Sequence, residues 1–336
     1  MRRQQLAYRV EKVALAAPFR ISGYVFEHSD VVVVTLTDGE HEGRGEGSGV
    51  YYLGDDAAHM VAELEGNHDA IEASGSREDL RSILPPGGAR NAVDCAMWDL
   101  EAKRSGRAAW DLAGFGELKP LVTTMTVGAD EPEAMADGAR AYAQARAIKL
   151  KLTGDLDLDI ARVRAVRAAR PDVWLGVDAN QGFTVDRLPA LVAAMVEQHV
   201  SLIEQPLARG READLEGFES AIPLAADESA LSLSDVEGLV GRFQVVNIKL
   251  DKCGGLTEAL LMARRARELG LAVMVGNMVG TSLAMAPACI VGQLCDFVDL
   301  DGPIFMAEDR TPSVTYRDGT IWCPDEVWGS GELVLQ

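Results

Sequence analysis

Positive charge is in short supply. Against 52 aspartates and glutamates stand 32 lysines and arginines, a formal net charge of −20. A chain of that sign repels phosphate backbones, so no nucleic-acid partner is expected, and cations, divalent metals among them, are the natural complement. Cysteine is scarce as well. The five, Cys95, Cys253, Cys289, Cys295 and Cys323, form no CxxC pair, which argues against both a disulfide framework and a thiolate zinc site. Membrane-length apolar runs are missing. Residues 269–295 carry no charge but include Gly276, Asn277, Gly280, Thr281, Ser282, Pro287 and Gln293, which suits a buried strand and helix better than a span. The opening residues hold no apolar stretch of secretory length. The expectation is a reduced, cytoplasmic protein with no membrane partner.

What is present reads as a folded chain, with 48% apolar and 25% charged residues, the balance of a globular protein. Its 336 residues suffice for one large or two medium domains. The first third has its own character. Residues 31–36 are β-branched and predict a strand. They lead into 41–49, where Gly43, Gly45, Gly47 and Gly49 alternate with other residues, either a mobile loop or the edge of a small sheet. Helical spacing follows over 57–65 and 91–104. In the second of these, Ala92, Cys95, Ala96, Asp99 and Leu100 share one face.

From residue 121 a rhythm of short apolar runs and helical patterns begins. The predicted strands are 121–127, 147–152, 173–178, 201–204, 223–227, 245–250, 272–276 and 297–301. Helices are predicted between them over 132–145, 158–169, 188–198 and 257–269. In the last, Leu260, Ala263, Ala266 and Leu269 face inward while Arg264, Arg265 and Glu268 face outward, a 3.6-residue period. Eight strands alternating with helices predict a parallel sheet of the α/β class, and eight is the number that closes a barrel. A doubly wound open sheet competes, but its first turn, Thr126-Val-Gly-Ala-Asp130, lacks the dinucleotide-binding glycines.

Charged residues recur where these strands end: Lys149 and Lys151, then Asp178, Glu204, Asp227 and Lys249, and finally Asp299 and Asp301. In a parallel barrel those ends share one face, where catalytic residues gather. Residues two apart on a strand point the same way, so Lys149 and Lys151 project together. A single acid or lysine in such a place is ordinarily a solvated cap; the ordered set at intervals of one βα unit is not accounted for that way. Three carboxylates from successive strands make a hard oxygen site suited to Mg²⁺.

At these residues the sequence resembles the enolase superfamily, in its muconate lactonizing enzyme subgroup. Within that it resembles the dipeptide epimerases of the L-Ala-D/L-Glu epimerase kind. The resemblance rests on Asn91-Ala-Val-Asp-Cys-Ala-Met-Trp-Asp-Leu100, Ile148-Lys-Leu-Lys-Leu152, Val177-Asp-Ala-Asn180, Ile203-Glu-Gln-Pro206, Ala226-Asp-Glu-Ser229, Val246-Asn-Ile-Lys-Leu-Asp-Lys-Cys-Gly-Gly-Leu256 and Asp299-Leu-Asp-Gly-Pro303. It implies a modified TIM barrel, (β/α)₇β, over 115–309, beneath an N-terminal α+β capping domain over 1–114 that is completed by 310–336. It implies Mg²⁺ on Asp178, Glu204 and Asp227, with Lys151 and Lys249 as acid/base catalysts on opposite faces of a small dipeptide substrate. Asp299 and Asp301 would hold the dipeptide's ammonium, and Thr126 and Asn277 sit at strand ends where family members contact substrate. A homo-oligomer is compatible with this picture.

The implied chemistry is 1,1-proton transfer at the α-carbon of the C-terminal residue of an L,L-dipeptide, through an enediolate. Removing an α-proton beside a carboxylate builds up negative charge that a divalent cation neutralises. A lysine or histidine base working beside Mg²⁺ is the general solution of enolase-type sites. A lysine base must be neutral, and a second ammonium at Lys149 together with Mg²⁺ favours that at Lys151. Lys149 is therefore read as the tuning and substrate-polarising partner. No histidine fits the base role. His28, His41, His59 and His68 lie in the first third, and His199 falls on the predicted helix before the fourth barrel strand. The alternative is a cycloisomerase or o-succinylbenzoate synthase of the same subgroup, whose substrates lack an ammonium for Asp299 and Asp301. One departure concerns specificity. Where relatives acting on Glu-containing dipeptides carry an Arg after Pro-Phe, this chain has Gly23, Tyr24 and Phe26, with Arg20 directly behind Phe19. An apolar or aromatic side chain is expected on the epimerised residue, with Tyr24 and Phe26 against it.

Overall fold

The computed structural model describes residues 4–21 and 24–331. Three antiparallel strands open the chain: β1 (Gln5–Ile21), β2 (Tyr24–Thr37) and β3 (Glu42–Gly47). β2 lies in the middle, pairing Gln5 with Thr37 on one side and Val32 with Gly47 on the other. The predicted strand over 31–36 is the buried end of β2. β1 is an addition to the strands expected from sequence, although Leu6, Tyr8 and Val10 alternate with Ala7, Arg9 and Glu11 as a strand requires. Of the two readings for 41–49, the sheet edge is the observed one.

The glycines of β3 have a packing cause. Five helices follow: α1 (Ala57–Gly66), α2 (His68–Ala73), α3 (Arg77–Ile83), α4 (Gly88–Ser105) and α5 (Ala109–Leu112). α4 lies directly on β3. A Cβ on Gly43 would stand 2.1 Å from the Ala96 carbonyl oxygen, and one on Gly45 would stand 2.1 Å from that of Ala92. Only bare backbone allows that approach. α4 is buried almost all round, which a single apolar stripe does not produce. Ala92, Val93, Ala96 and Leu100 join a core with Val32, Val34 and Leu36, while Cys95 and Trp98 belong to the barrel core. α4 is thus the shared wall of the two layers.

The barrel strands are preceded by β4 (Leu121–Val122). They are β5 (Thr124–Val127), β6 (Ala147–Lys151), β7 (Trp174–Asp178), β8 (Leu202–Glu204), β9 (Leu224–Ala226), β10 (Val245–Ile248), β11 (Ala272–Val275) and β12 (Phe297–Val298). They pair in parallel in sequence order from β5 to β12. Helices α6 (Pro132–Ala141), α7 (Leu156–Ala169), α8 (Leu188–Glu197), α9 (Leu250–Cys253), α10 (Leu256–Glu268) and α11 (Ser282–Gly292) cover the outside. Between β8 and β9, and again between β9 and β10, the crossover holds only 3₁₀ turns, over Glu212–Leu215 and Leu233–Leu239. α8 stops at Glu197, so His199 lies beyond the helix expected to carry it, at φ 52°.

The seam between the eighth strand and the first is closed partly by side chains. Leu300 N donates to Thr123 Oγ1 at 2.9 Å, Thr126 N donates to Asp301 Oδ2 at 2.6 Å, and Thr124 Oγ1 donates to Asp299. Beyond it, β13 (Thr315–Arg317) pairs with β14 (Thr320–Trp322), and β14 pairs with β4. The chain then passes the first layer, where Trp328 Nε1 donates to the Arg44 carbonyl at 2.8 Å and Gly329 N to Asp99 Oδ1 at 3.0 Å. Residues 269–295 form β11 and the buried α11, and among the described residues no helix is long and apolar enough to cross a membrane.

Substituting Gly45→Ala is expected to lower stability by about 1–3 kcal/mol, as overpacking of a tight contact does. Gly116→Ala, where nothing lies within 4 Å of the new Cβ, is expected to stay within about 0.5 kcal/mol. Chemical denaturation of both variants checks this.

Candidate active site

The charged residues singled out at the strand ends converge. Asp178 is the last residue of β7 and Glu204 the last of β8, while Asp227 directly follows β9. One oxygen from each lies within 4.8 Å of the others, and all three side chains are buried. The lysines ring this point. Lys151 Nζ donates to Asp178 Oδ2 at 2.6 Å, and Lys249 Nζ donates to Asp227 Oδ2 at 2.7 Å. Lys149 Nζ lies 2.8 Å from Glu204 Oε2, 2.8 Å from Asp299 Oδ2 and 3.3 Å from Asp178 Oδ2.

Burial and the neighbouring ammoniums or carboxylates compete at Asp178, Glu204, Asp227, Lys149 and Lys249. Burial alone raises a carboxylate pKa. At Asp178 the ammoniums of Lys151 and Lys149 outweigh it and hold the group at about 2. At Asp227 Lys249 and Lys252 do the same. Glu204 ends on the other side, at about 7, because burial and the neighbouring Asp178 prevail over Lys149. Burial lowers a lysine pKa, yet the acids around Lys149, led by Asp299 and Glu204, keep it well above its ordinary value. Lys249 is raised in the same way by Asp227.

The triad fits a divalent metal by its donors. Three carboxylates offer hard oxygens with few protein ligands, as Mg²⁺ accepts. Glu204 Oε2 is buried and makes no hydrogen bond; its proximity to Lys149 is an ion pair without hydrogen-bond geometry. An orphan oxygen of that kind, aimed at two other carboxylates, is what a cation would satisfy.

A cavity of about 310 Å³ opens above Lys151, Lys249 and Asp227, and Asn277 is in its wall. Its outer side comes from the first layer: Val25, Phe26, Tyr51 and Tyr52. The rings of Phe26 and Tyr51 meet edge to face with centroids 5.2 Å apart, and Tyr51 meets Tyr52 likewise at 5.2 Å. Among the described residues, the cavity wall holds no arginine and no lysine besides Lys151 and Lys249, while Glu27, Asp30, Asp55 and Asp56 are in it. The Tyr24 and Arg20 side chains and Gly23 lie outside the described residues. Asp299, Asp301 and Thr126 are not in this wall. Asp299 is held by Lys149 and Thr124, and Asp301 by the Thr126 N–H. Asn277 Nδ2 donates to the Asp299 carbonyl at 2.6 Å.

Several supporting residues are not singled out by the sequence pattern. Asn247 Nδ2 donates to Glu204 Oε1 at 2.9 Å. Lys252 Nζ donates to Asp227 Oδ1 at 2.5 Å and to the Asp227 carbonyl at 2.6 Å. Gln205 Oε1 accepts from Asp227 N at 2.9 Å and from Ser229 N at 3.1 Å. Asn247 is within reach of alternation, because it stands two residues before Lys249 and so shares its face. Lys252 and Gln205 lie past the strand ends, where alternation no longer applies.

Comparison with known proteins shows the family. Residues 4–114 match the family model of the mandelate racemase/muconate lactonizing enzyme N-terminal domain, and residues 133–331 match the enolase C-terminal domain-like model. The chain is 38% identical over 307 residues to an L-Ala-D/L-Glu epimerase of Escherichia coli K12, covering 91% of this chain and 96% of that protein. Among solved structures, an enolase family member from Agrobacterium tumefaciens with homology to dipeptide epimerases, bound to sodium and L-Ala-L-Glu, superposes with a TM-score of 0.93 at 42% identity, covering 97% of this chain and 100% of that one. A dipeptide epimerase from Enterococcus faecalis, complexed with Mg and L-Leu-L-Tyr, superposes with a TM-score of 0.90 at 26% identity, covering 98% and 99%. With both layers matched and the strand-end acids and lysines gathered at one mouth, the chain belongs to the mandelate racemase/muconate lactonizing enzyme family of the enolase superfamily, among its dipeptide epimerases.

Proposed function

We propose that this dipeptide epimerase inverts the α-carbon of the C-terminal residue with Lys151 and Lys249 as acid and base, and that Asp178, Glu204 and Asp227 hold Mg²⁺. The observation that carries the reading is the order around the mouth. Lys151 stands against the first carboxylate, Lys249 against the third, and Glu204 lies between them. Four strand steps separate β6 from β10 in an eight-strand sheet, so the two amines reach a central substrate from opposite sides. Inversion needs that: one lysine takes the proton from one face while the other returns a proton to the second face. The bound cation would supply positive charge against the substrate carboxylate as the α-proton leaves. Lys149, held among Glu204, Asp178 and Asp299, keeps a fixed positive charge beside the reacting carboxylate.

The ammonium of the dipeptide is assigned to Asp301 and Asp299. Burial and the neighbouring Asp299 push Asp301 up to about 7, the condition of a carboxylate short of a counter-cation, and a substrate ammonium provides one. Thr126 fixes Asp301 through its N–H, and Asn277 fixes the end of the eighth strand. A cycloisomerase or synthase substrate without an ammonium leaves Asp301 unmatched, and the relatives include an L-Ala-D/L-Glu epimerase and a dipeptide epimerase.

For the epimerised side chain we read an apolar or aromatic preference. Phe26, Tyr51, Tyr52 and Val25 offer contact area, and the carboxylates in the same wall repel an acidic side chain. Tyr24 remains part of this proposal on sequence grounds. The five free thiols suit the reducing cytoplasm.

In calorimetric titration, Glu204→Gln is expected to weaken Mg²⁺ binding at least tenfold, and EDTA to abolish turnover of the unmodified enzyme. In D₂O with an L,L-dipeptide, the enzyme is expected to invert the C-terminal α-carbon with deuterium incorporation. Lys151→Ala and Lys249→Ala are each expected to lose inversion by about 10²–10⁴-fold, while each still exchanges the α-proton of one epimer, and not the same one. Loss of exchange from both epimers in either variant would contradict the two-sided assignment. On a substrate panel, kcat/KM for L-Ala-L-Phe and L-Ala-L-Leu is expected to exceed that for L-Ala-L-Glu; the reverse order removes the apolar reading and leaves the mechanism standing.

A further inference from the structure

The aromatic side of the cavity is carried by a short excursion of the chain between β3 and α1. Its base is closed on itself: Val50 N donates to the Asp55 carbonyl at 2.9 Å and Asp55 N to that of Val50 at 3.3 Å. Asp55 Oδ2 accepts from Gly88 N at 2.8 Å, which ties one end to α4. The other end is tied to the barrel by one oxygen. Asp251 Oδ1 accepts from Ser48 N at 2.8 Å, Gly49 N at 3.2 Å and Asn91 Nδ2 at 3.1 Å. Ser48 Oγ adds a bond to the Val279 carbonyl at 3.2 Å. Asp251 is buried. It stands two residues after Lys249, in the first turn of α9, so the turn that leaves the proposed base also holds the roof above it.

The geometry points to Asp251 as a positioning residue that sets where Tyr51 and Tyr52 stand over Lys249, and through them which side chains the enzyme accepts. The inference rests on the epimerase reading for its substrate and on the hydrogen bonds for its mechanism. A carboxylate oxygen taking three N–H donors is a strong and directional anchor. Gly49, at φ 71°, has no room for a Cβ, which would stand 2.1 Å from the Asp55 carbonyl oxygen. Bare backbone at this point lets the excursion turn tightly against Asp55 beside the anchor, and the two tyrosines follow directly after it. Asp251 touches neither the triad nor the cavity, so its removal leaves the chemical groups in place and moves the wall.

Asp251→Ala and the milder Asp251→Asn test this on the full-length enzyme. In hydrogen–deuterium exchange, peptides covering 48–53 are expected to exchange at least tenfold faster in Asp251→Ala, and less so in Asp251→Asn, which keeps an accepting oxygen. In steady-state kinetics, the ratio of kcat/KM for L-Ala-L-Phe to that for L-Ala-L-Ala is expected to fall at least tenfold, chiefly through KM for the aromatic substrate. Mg²⁺ affinity by calorimetry is expected to be unchanged. Equal losses on both substrates, or unaltered exchange over 48–53 in a folded variant, would overturn the inference. If Asp251→Ala does not fold, Asp251→Asn carries the same two readouts. If the unmodified enzyme turns over no dipeptide, the epimerase reading fails, while the exchange measurement still decides whether Asp251 holds the roof.

Discussion

Burying an ion is costly unless an opposite charge comes with it. The mouth of this barrel buries many at once: Lys149, Lys151, Lys249 and Lys252 among Asp178, Glu204, Asp227 and Asp299. Each lysine lies against at least one of the acids. The arrangement is stable because it is nearly balanced, and it is reactive because it is not fully so. Among the described residues, Glu204 keeps an oxygen without a hydrogen bond, and Asp301 has an N–H donor but no ammonium against it. In the proposed reading, those two imbalances are where a divalent metal and a positively charged substrate end would complete the site.

Completing the site also needs a roof, and the roof belongs to the other layer. Arg90 and Asp94 of α4 lie against Gly254 and Gly255, just after the turn that carries Lys249 and Asp251. A Cβ at Gly254 would stand 2.1 Å from Arg90 Nε, and one at Gly255 would stand 2.5 Å from Asp94 Cβ. Arg90 Nε donates to the Gly254 carbonyl at 3.2 Å, and Asp94 Oδ2 accepts from Thr257 N at 2.9 Å. The paired glycines let a charged helix of the first layer dock within a few residues of the end of β10 that carries Lys249. A second clamp lies across the mouth, where Thr281 N and Arg310 Nη2 both donate to the buried Glu46, at 2.8 and 2.7 Å. The cavity is thus built between two layers that are each fixed to the other.

This division explains how far residues alone can be read. The alternation of apolar runs and helical patterns is local, and it places all eight barrel strands close to where they lie. The elements it does not reach are informative. β1 alternates but is half exposed and ends in an irregular pairing with β2, where the register shifts between Ala14 and Phe19. The glycines over 43–47 look loop-like because nothing in the sequence announces that a helix some forty residues on, α4, presses against them. Lys252 and Gln205 stand inside recognisable motifs, yet their roles are not legible there, since their partners are a carboxylate and backbone groups of another strand.

The sequence by itself determined the chemistry available: which acids and amines stand at strand ends, and that alternation turns Lys149 and Lys151 the same way. Those follow from backbone geometry over a few residues. Only the tertiary structure decided how the charges pair, that Asp299 is engaged by Lys149 while Asp301 has no cation against it among the described residues, and that Phe26, Tyr51 and Tyr52 wall the cavity. Such facts depend on separations of a few ångströms between residues tens to hundreds of positions apart, and those separations are fixed by barrel closure and by the docking of α4, not by any local run of residues.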